Sequence, residues 1–159
     1  MIIALYIIFI TILVLLDQFA KRAVVQNMAL GESIEIIKGF FSLTYVRNYG
    51  AGFSILQNAT FFLLAMTVIA CGALFYLLLK SDEKDLYSKM SYLLIISGAM
   101  GNFIDRIRYG YVVDFLDFKI FGYNYPVFNV ADCFVTVGCF MLIFRVLWES
   151  KRAKNRSDS

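Results

Sequence analysis

Four stretches of this chain are almost free of charge, and its polar residues crowd the segments between them. Residues 2–20 are apolar apart from Thr11, Asp17 and Gln18, and residues 59–79 carry no charge. Residues 89–106 are shorter in apolar core and include Ser91, Ser97 and Asn102. Residues 127–148 include Asn129, Asp132 and Arg145. At about 1.5 Å rise per residue, a helix of about 20 residues crosses the hydrocarbon core. The first, second and fourth stretches meet that length unaided; the third needs Lys89 or Asp105 near an interface. The first has no basic residue before it and no small-x-small cleavage site, so it is expected to be a retained span and not a cleaved leader.

The connections differ in kind. Residues 80–89 are short and charged and predict a simple turn. Residues 21–58 contain β-type alternation in Ser33-Ile34-Glu35-Ile36-Ile37 and in Phe41 to Val46, which predicts a small sheet at the membrane surface. Residues 106–126 are aromatic and carry Gly110, Gly122 and Pro126; they suit an interfacial segment with a short amphipathic piece. The fold class is therefore an all-α membrane protein, four transmembrane helices with a small extracytoplasmic β-sheet and an interfacial segment. One domain accounts for residues 1–159, with a polar tail at 151–159.

Composition agrees. The chain is 60% hydrophobic, with a mean hydropathy of +0.72 and a single proline. Its net charge of +3 and basic C-terminal cluster suit an anionic membrane surface, not nucleic acid. There is no histidine. That excludes Ser-His-Asp and Cys-His mechanisms and any His-containing metal site. Cys71, Cys133 and Cys139 are odd in number and form no CxxC pair, so they read as small packing residues. No metal or cofactor is expected.

Four spans put both termini and the 80–89 turn on one side. That side holds eight basic residues and the other seven, so the count decides nothing; the dense C-terminal cluster places the termini in the cytoplasm. Parity decides more. The end of span one, the start of span two, the end of span three and the start of span four share the opposite side. Asp17, Asn48, Asn102, Asp105, Asp114, Asn129 and Asp132 all lie there. A carboxylate at membrane depth is costly and marks function by default, and Asp114 and Asp132 facing one another suggest acid/base chemistry.

Each residue also has a plainer reading. Asp132 at the start of an apolar run suits a helix cap, and Asp114 a solvated loop carboxylate. Asp105 beside Arg106 reads as an ion pair, and Asp17 four residues before Lys21 as an intrahelical one. Asn48 before Gly50 reads as a turn. Gly98 and Gly101 would let another helix approach closely.

Together these segments resemble the lipoprotein signal peptidases, signal peptidase II. The resemblance runs from Asp17 to about Gly138. It rests on Asp17 and Lys21, on Arg47-Asn48-Tyr49-Gly50-Ala51-Gly52-Phe53-Ser54, on Gly98 to Arg106 with Gly110 and Val112-Val113-Asp114-Phe115, and on Phe128-Asn129-Val130-Ala131-Asp132. Gly52 stands where the family usually has alanine, and Ala20 where a serine or threonine often precedes the lysine.

The resemblance implies a four-helix aspartyl protease of the bacterial cytoplasmic membrane with no cofactor, expected to act as a monomer. It would cut diacylglyceryl-modified prolipoproteins before the modified cysteine, on the extracytoplasmic face, among membrane lipids. Asp114 and Asp132 fall on the catalytic pair. Asn102, Asp105, Arg106 and Asn129 fall on supporting positions, and Asp17, Lys21 and Asn48 on other motif positions. The alternative is a small proton- or ion-coupled transporter. Against it, the polar residues gather at one face and no inverted repeat is visible.

Overall fold

The computed structural model describes residues 2–50, 59–82 and 84–157, with side chains up to residue 152. The Ala51 to Ser54 part of the second motif, and the end of the polar tail, lie outside the described residues. The element order is α1 (Ile2–Asn27), β1 (Ser33–Ile37), β2 (Phe41–Asn48), α2 (Thr60–Lys80), α3 (Leu86–Tyr109), β3 (Val112–Ile120), β4 (Tyr123–Asn124) and α4 (Val130–Ser157).

The helices are built inside out relative to a soluble protein. Asp17, Lys21 and Val24 are the buried residues of α1, at the spacing of one helical face, while Leu15, Leu16 and Phe19 face outward. Burying the polar stripe and exposing the apolar one is favourable only where the surroundings are hydrocarbon. Among the described residues, three helices are long and apolar enough to cross a membrane: α1, α2 and the Val130–Arg152 part of α4. The third stretch forms a helix of 24 residues, longer than its apolar core suggests, but it does not reach the same hydropathy. Its polar and small residues are hidden instead: Ser91, Ser97, Gly98, Gly101 and Asp105 are all buried. It packs against α1, α2 and α4 and is the central helix of the molecule.

Local chemistry sets its ends. Asp85 caps α3 by accepting from the Ser88 amide at 3.1 Å, and Gly110, at φ 76°, closes it in the left-handed conformation with its N–H on the Arg106 carbonyl. The α3–α4 crossing depends on missing side chains. A methyl group on Gly98 would collide with the Ala131 carbonyl, and one on Gly138 would come within 2.8 Å of the Ser91 carbonyl and 2.7 Å of Ile95. Small residues that admit a close backbone are the usual device where packing drives helix association.

The sheet is antiparallel in the order β1-β2-β3-β4. The first two strands are those predicted by alternation. Residues 112–124 are not a separate amphipathic piece: they form β3, which pairs with β2, and β4, which pairs with β3, and so complete the sheet. Val112 to Phe115 are all buried, the Asp114 carboxylate included, so the period-2 signal of a half-exposed strand is weak there. Val113 and Phe115 pack with Val24 and Tyr45 on one face. Asp114, opposite Val46, takes the other face.

Gly98→Ala is expected to destabilise the protein by about 1–3 kcal/mol, the range for overpacked interiors. Gly72→Ala, where an added methyl meets nothing within 4 Å, is expected to leave it unchanged or slightly more stable. Thermal unfolding in detergent measures both; equal melting temperatures for Gly98→Ala and wild type would remove the close crossing.

Candidate active site

The centre of the site is a buried ammonium. Lys21 Nζ lies 2.8 Å from Asp17 Oδ2 and 3.0 Å from Asp105 Oδ2, and donates to Asn102 Oδ1 at 2.8 Å. The Asp17–Lys21 pair expected from the four-residue spacing is present. The Asp105–Arg106 pair is not. Asp105 is taken by Lys21, by Gln18 Nε2 at 2.8 Å and by the Val113 amide at 3.1 Å. Adjacent residues on a helix point about 100° apart, so Asp105 faces α1 while Arg106 turns toward the loop after β2. There Arg106 donates to the Gly50 carbonyl at 2.7 Å, and its charge acts on Asp132 first, then on Asp114 and Asp105.

Lys21 also sets the orientation of a neighbouring amide. An ammonium only donates, so Asn102 must turn its oxygen toward it. Its amide nitrogen then donates to Asp132 Oδ1 at 2.8 Å. The same Asn102 oxygen accepts from Asn129 Nδ2 at 3.1 Å, and that nitrogen donates to Asp114 Oδ1 at 2.6 Å. Asn48 Nδ2 reaches the other oxygen of Asp114 at 3.0 Å. All nine residues singled out in the sequence therefore belong to one hydrogen-bonded cluster.

Asn129 and Asp132 also form the start of α4. The Asn129 side chain accepts from the Asp132 amide at 3.0 Å, and Asp132 Oδ2 accepts from the Asn129 amide at 3.1 Å. This is a reciprocal capping box, built from Asn and Asp. Asp17 satisfies a further first-turn amide, that of Ala131, at 2.9 Å. The helix-cap reading of Asp132 is thus correct, and it leaves Oδ1 turned toward Asn102. Likewise the Asn48 turn is real, with its oxygen on the Gly50 amide at 2.9 Å, while its nitrogen serves Asp114.

Asp114 is not a solvated loop carboxylate; it is 2% exposed, on β3. Burial, and then the negative charge of Asp132, push its pKa up to about 7, against the lowering effect of the Asn48 and Asn129 hydrogen bonds. Asp132 is half-buried. The cluster holds four carboxyl groups, Asp17, Asp105, Asp114 and Asp132, against two cations, Lys21 and Arg106, so a proton on Asp114 reduces an excess of negative charge.

Two sets of contacts at the site are not legible in the sequence. Gln18 interrupts the first apolar run visibly, yet nothing local shows that it bridges to Asp105 and to the Gly101 carbonyl at 3.1 Å. Arg47 sits 4.8 Å from the Tyr111 ring centre, which itself packs against Tyr49 and Tyr109 and forms an aromatic edge beside the site. Residues 47–49 and 109–111 are far apart in sequence and share no periodic signal.

Residues 9–148 match the family model of signal peptidase II. The lipoprotein signal peptidase of Streptococcus thermophilus (strain CNRZ 1066) is 45% identical over 140 residues, covering 88% of this chain and 90% of that one. That of Enterococcus faecalis is 43% identical over 143 residues, covering 90% and 88%. A bacterial membrane enzyme solved in meso at 2.3 Å superposes with a TM-score of 0.89 at 37% identity, over 94% of this chain and 92% of that one. A second, at 1.9 Å, gives 0.83 at 38% identity, over 91% and 94%.

The raised Asp114 pKa fixes the sign of a stability effect. An unfolded aspartate titrates near about 3.9, and the folded one at about 7. Its stabilising contribution is whole below the unfolded pKa and is lost as pH rises through about 7. Asp114→Asn removes that titration. Its melting temperature relative to wild type should therefore be higher at pH 8 than at pH 5, read by thermal shift in detergent. The same difference at both pH values would sink the assignment.

Proposed function

The chain belongs to the signal peptidase II family, and from that premise we propose that it is an aspartic endopeptidase of the bacterial cytoplasmic membrane. It removes signal peptides from prolipoproteins by cutting before the diacylglyceryl-modified cysteine, with Asp114 and Asp132 as the catalytic pair. The observation that carries this reading is the pair's environment. Two carboxyl groups interact across the amides of Asn102 and Asn129, and one of them holds its proton up to about pH 7.

Two close carboxyls that share one proton supply a base and an acid together. Burial favours the proton on Asp114. Asp132, at the N-terminus of α4, is placed where the helix dipole favours an anion. Asp132 takes a proton from water as the water oxygen attacks the scissile carbonyl carbon. Asp114 gives its proton to the carbonyl oxygen, and a gem-diol forms. As the C–N bond breaks, the proton on Asp132 passes to the leaving amine of the cysteine. The diol hydroxyl returns its proton to Asp114, and the new carboxyl end of the signal peptide is released. Asn102, Asn129 and Asn48 hold the two carboxyls in register, and Lys21, braced by Asp17 and Asp105, holds Asn102. Arg106 lies where it can offset the negative charge of the pair.

The same reading makes α3 the fourth span. Its low mean hydropathy reflects residues buried against three other helices, so the lipid meets a more apolar surface than the sequence average suggests. The whole chain is then one membrane domain, monomeric, with termini and tail in the cytoplasm and the aspartates on the extracytoplasmic face.

Asp114→Asn and Asp132→Asn should each abolish cleavage of a diacylated precursor while the protein stays folded. Retention of more than about a tenth of wild-type rate, a loss under about 1.4 kcal/mol in activation free energy, would overturn the pair. A precursor with an unmodified cysteine should show a much lower kcat/KM, since lipid burial positions the scissile bond at the membrane surface. Equal values would leave a peptidase without lipid-dependent recognition. For topology, in a variant lacking the native cysteines, cysteine at Ser33 or Lys119 should react with an impermeant reagent in cells stripped of any outer barrier. Cysteine at Lys84 should not; reaction there would reverse the orientation.

A further inference from the structure

A groove of about 820 Å³ opens between α1 and α3, apart from the catalytic pair. Neither Asp114 nor Asp132 lines it, whereas Val113 does. Neighbouring strand residues point to opposite faces, so β3 stands between the groove and the aspartates. Along α1 its wall is Ile12, Leu15, Leu16 and Phe19, each more than half exposed. At the end nearer the sheet it is lined by Arg22 and Arg108.

These two arginines have no assigned work. Both are exposed, and among the described residues neither has an ion-pair partner. The carboxylates closest in sequence, Asp17 and Asp105, are already taken by Lys21. Two free guanidinium groups at the head of an apolar groove complement a phosphate, which arginine binds through paired donors. The dimensions agree. From Ile12 to Arg22 is ten residues, or about 15 Å of helix, half of a hydrocarbon core of about 30 Å. The groove is thus one leaflet deep, with its cations at headgroup level.

We propose that this groove seats one anionic glycerophospholipid, its phosphate between Arg22 and Arg108 and an acyl chain along Ile12 to Phe19. The substrate's own diacylglyceryl group is a poorer occupant: it carries no phosphate, and it must lie beside Asp114 and Asp132. The floor of the groove is Gln18, Lys21 and Asp105. A seated lipid therefore excludes water from the outer side of the ion cluster whose inner side holds Asn102, and it holds α1 against α3. The inference rests on α3 crossing the membrane beside α1 and not on the peptidase reading, because its test reads lipid retention without turnover.

The test is native mass spectrometry of the full-length protein, delipidated in detergent and offered equal amounts of phosphatidylglycerol and phosphatidylcholine. Wild type should retain one phosphatidylglycerol with a preference of about tenfold or more, since two basic residues at headgroup level both favour the anionic lipid. Arg22→Gln with Arg108→Gln should lose that preference, and Arg22→Lys with Arg108→Lys should keep part of it. Leu16→Trp, which fills the groove and leaves both cations, should lower retention as well. Undiminished preference in the double Gln variant overturns the proposal. Loss there with full retention in Leu16→Trp also overturns it, leaving only surface attraction. Equal retention of diacylglycerol by wild type would reassign the groove to the substrate's chains.

Discussion

The ammonium of Lys21 is the contact on which the rest of the site depends. It is almost fully buried, and an unpaired charge there would cost several kcal/mol. Asp17 and Asp105 neutralise it from two helices, and Asn102 completes its donor set. Because the ammonium cannot accept, it decides which way the Asn102 amide faces. That in turn decides what Asp132 meets. A single group at the end of α1 thereby orients a carboxyl on α4 through a side chain of α3.

Asp17 joins the same arrangement to the backbone. One of its oxygens faces Lys21 and the other takes an amide from the first turn of α4. The close approach this needs is provided by Gly98 and Gly101, where a methyl group would collide with α4 or with Asp17 itself. Packing and electrostatics are therefore not separable here. Small residues let the helices close, and closing brings four carboxyl groups and two cations within reach of each other. The surplus of negative charge that results favours a proton, and burial, followed by the charge of Asp132, pushes the Asp114 pKa up to about 7.

The sheet supplies the remaining constraint. Its alternation puts Val113 and Phe115 into the core beside Val24 and Tyr45, and so turns Asp114 toward the asparagines. The Asp105–Val113 hydrogen bond pins the start of that strand to α3. A one-residue slip would exchange the two faces and take Asp114 away from Asn48 and Asn129.

Much of this was legible in the sequence. Apolar runs of about 20 residues mark helices that a bilayer can hold, and the parity of four expected spans predicts that Asp17, Asn48, Asn102, Asp105, Asp114, Asn129 and Asp132 gather at one end, as their hydrogen bonds do. The Asp17–Lys21 pair and the Asn129–Asp132 cap are local, set by helical spacing, and local spacing is what a sequence displays directly. Partner choice is not local. Asp105 prefers Lys21, 84 positions away, to its neighbour Arg106, because the rotation of α3 against α1 points the two side chains apart. Residues 112–120 form a strand because β2 offers it an edge, which no pattern within those residues reveals. Gln18 gains its role only when α3 lies beside it. The sequence by itself determined the solvent, the helices and the face on which chemistry gathers; the tertiary structure alone decided which donor meets which carboxyl, since that depends on how packed helices are turned about their axes.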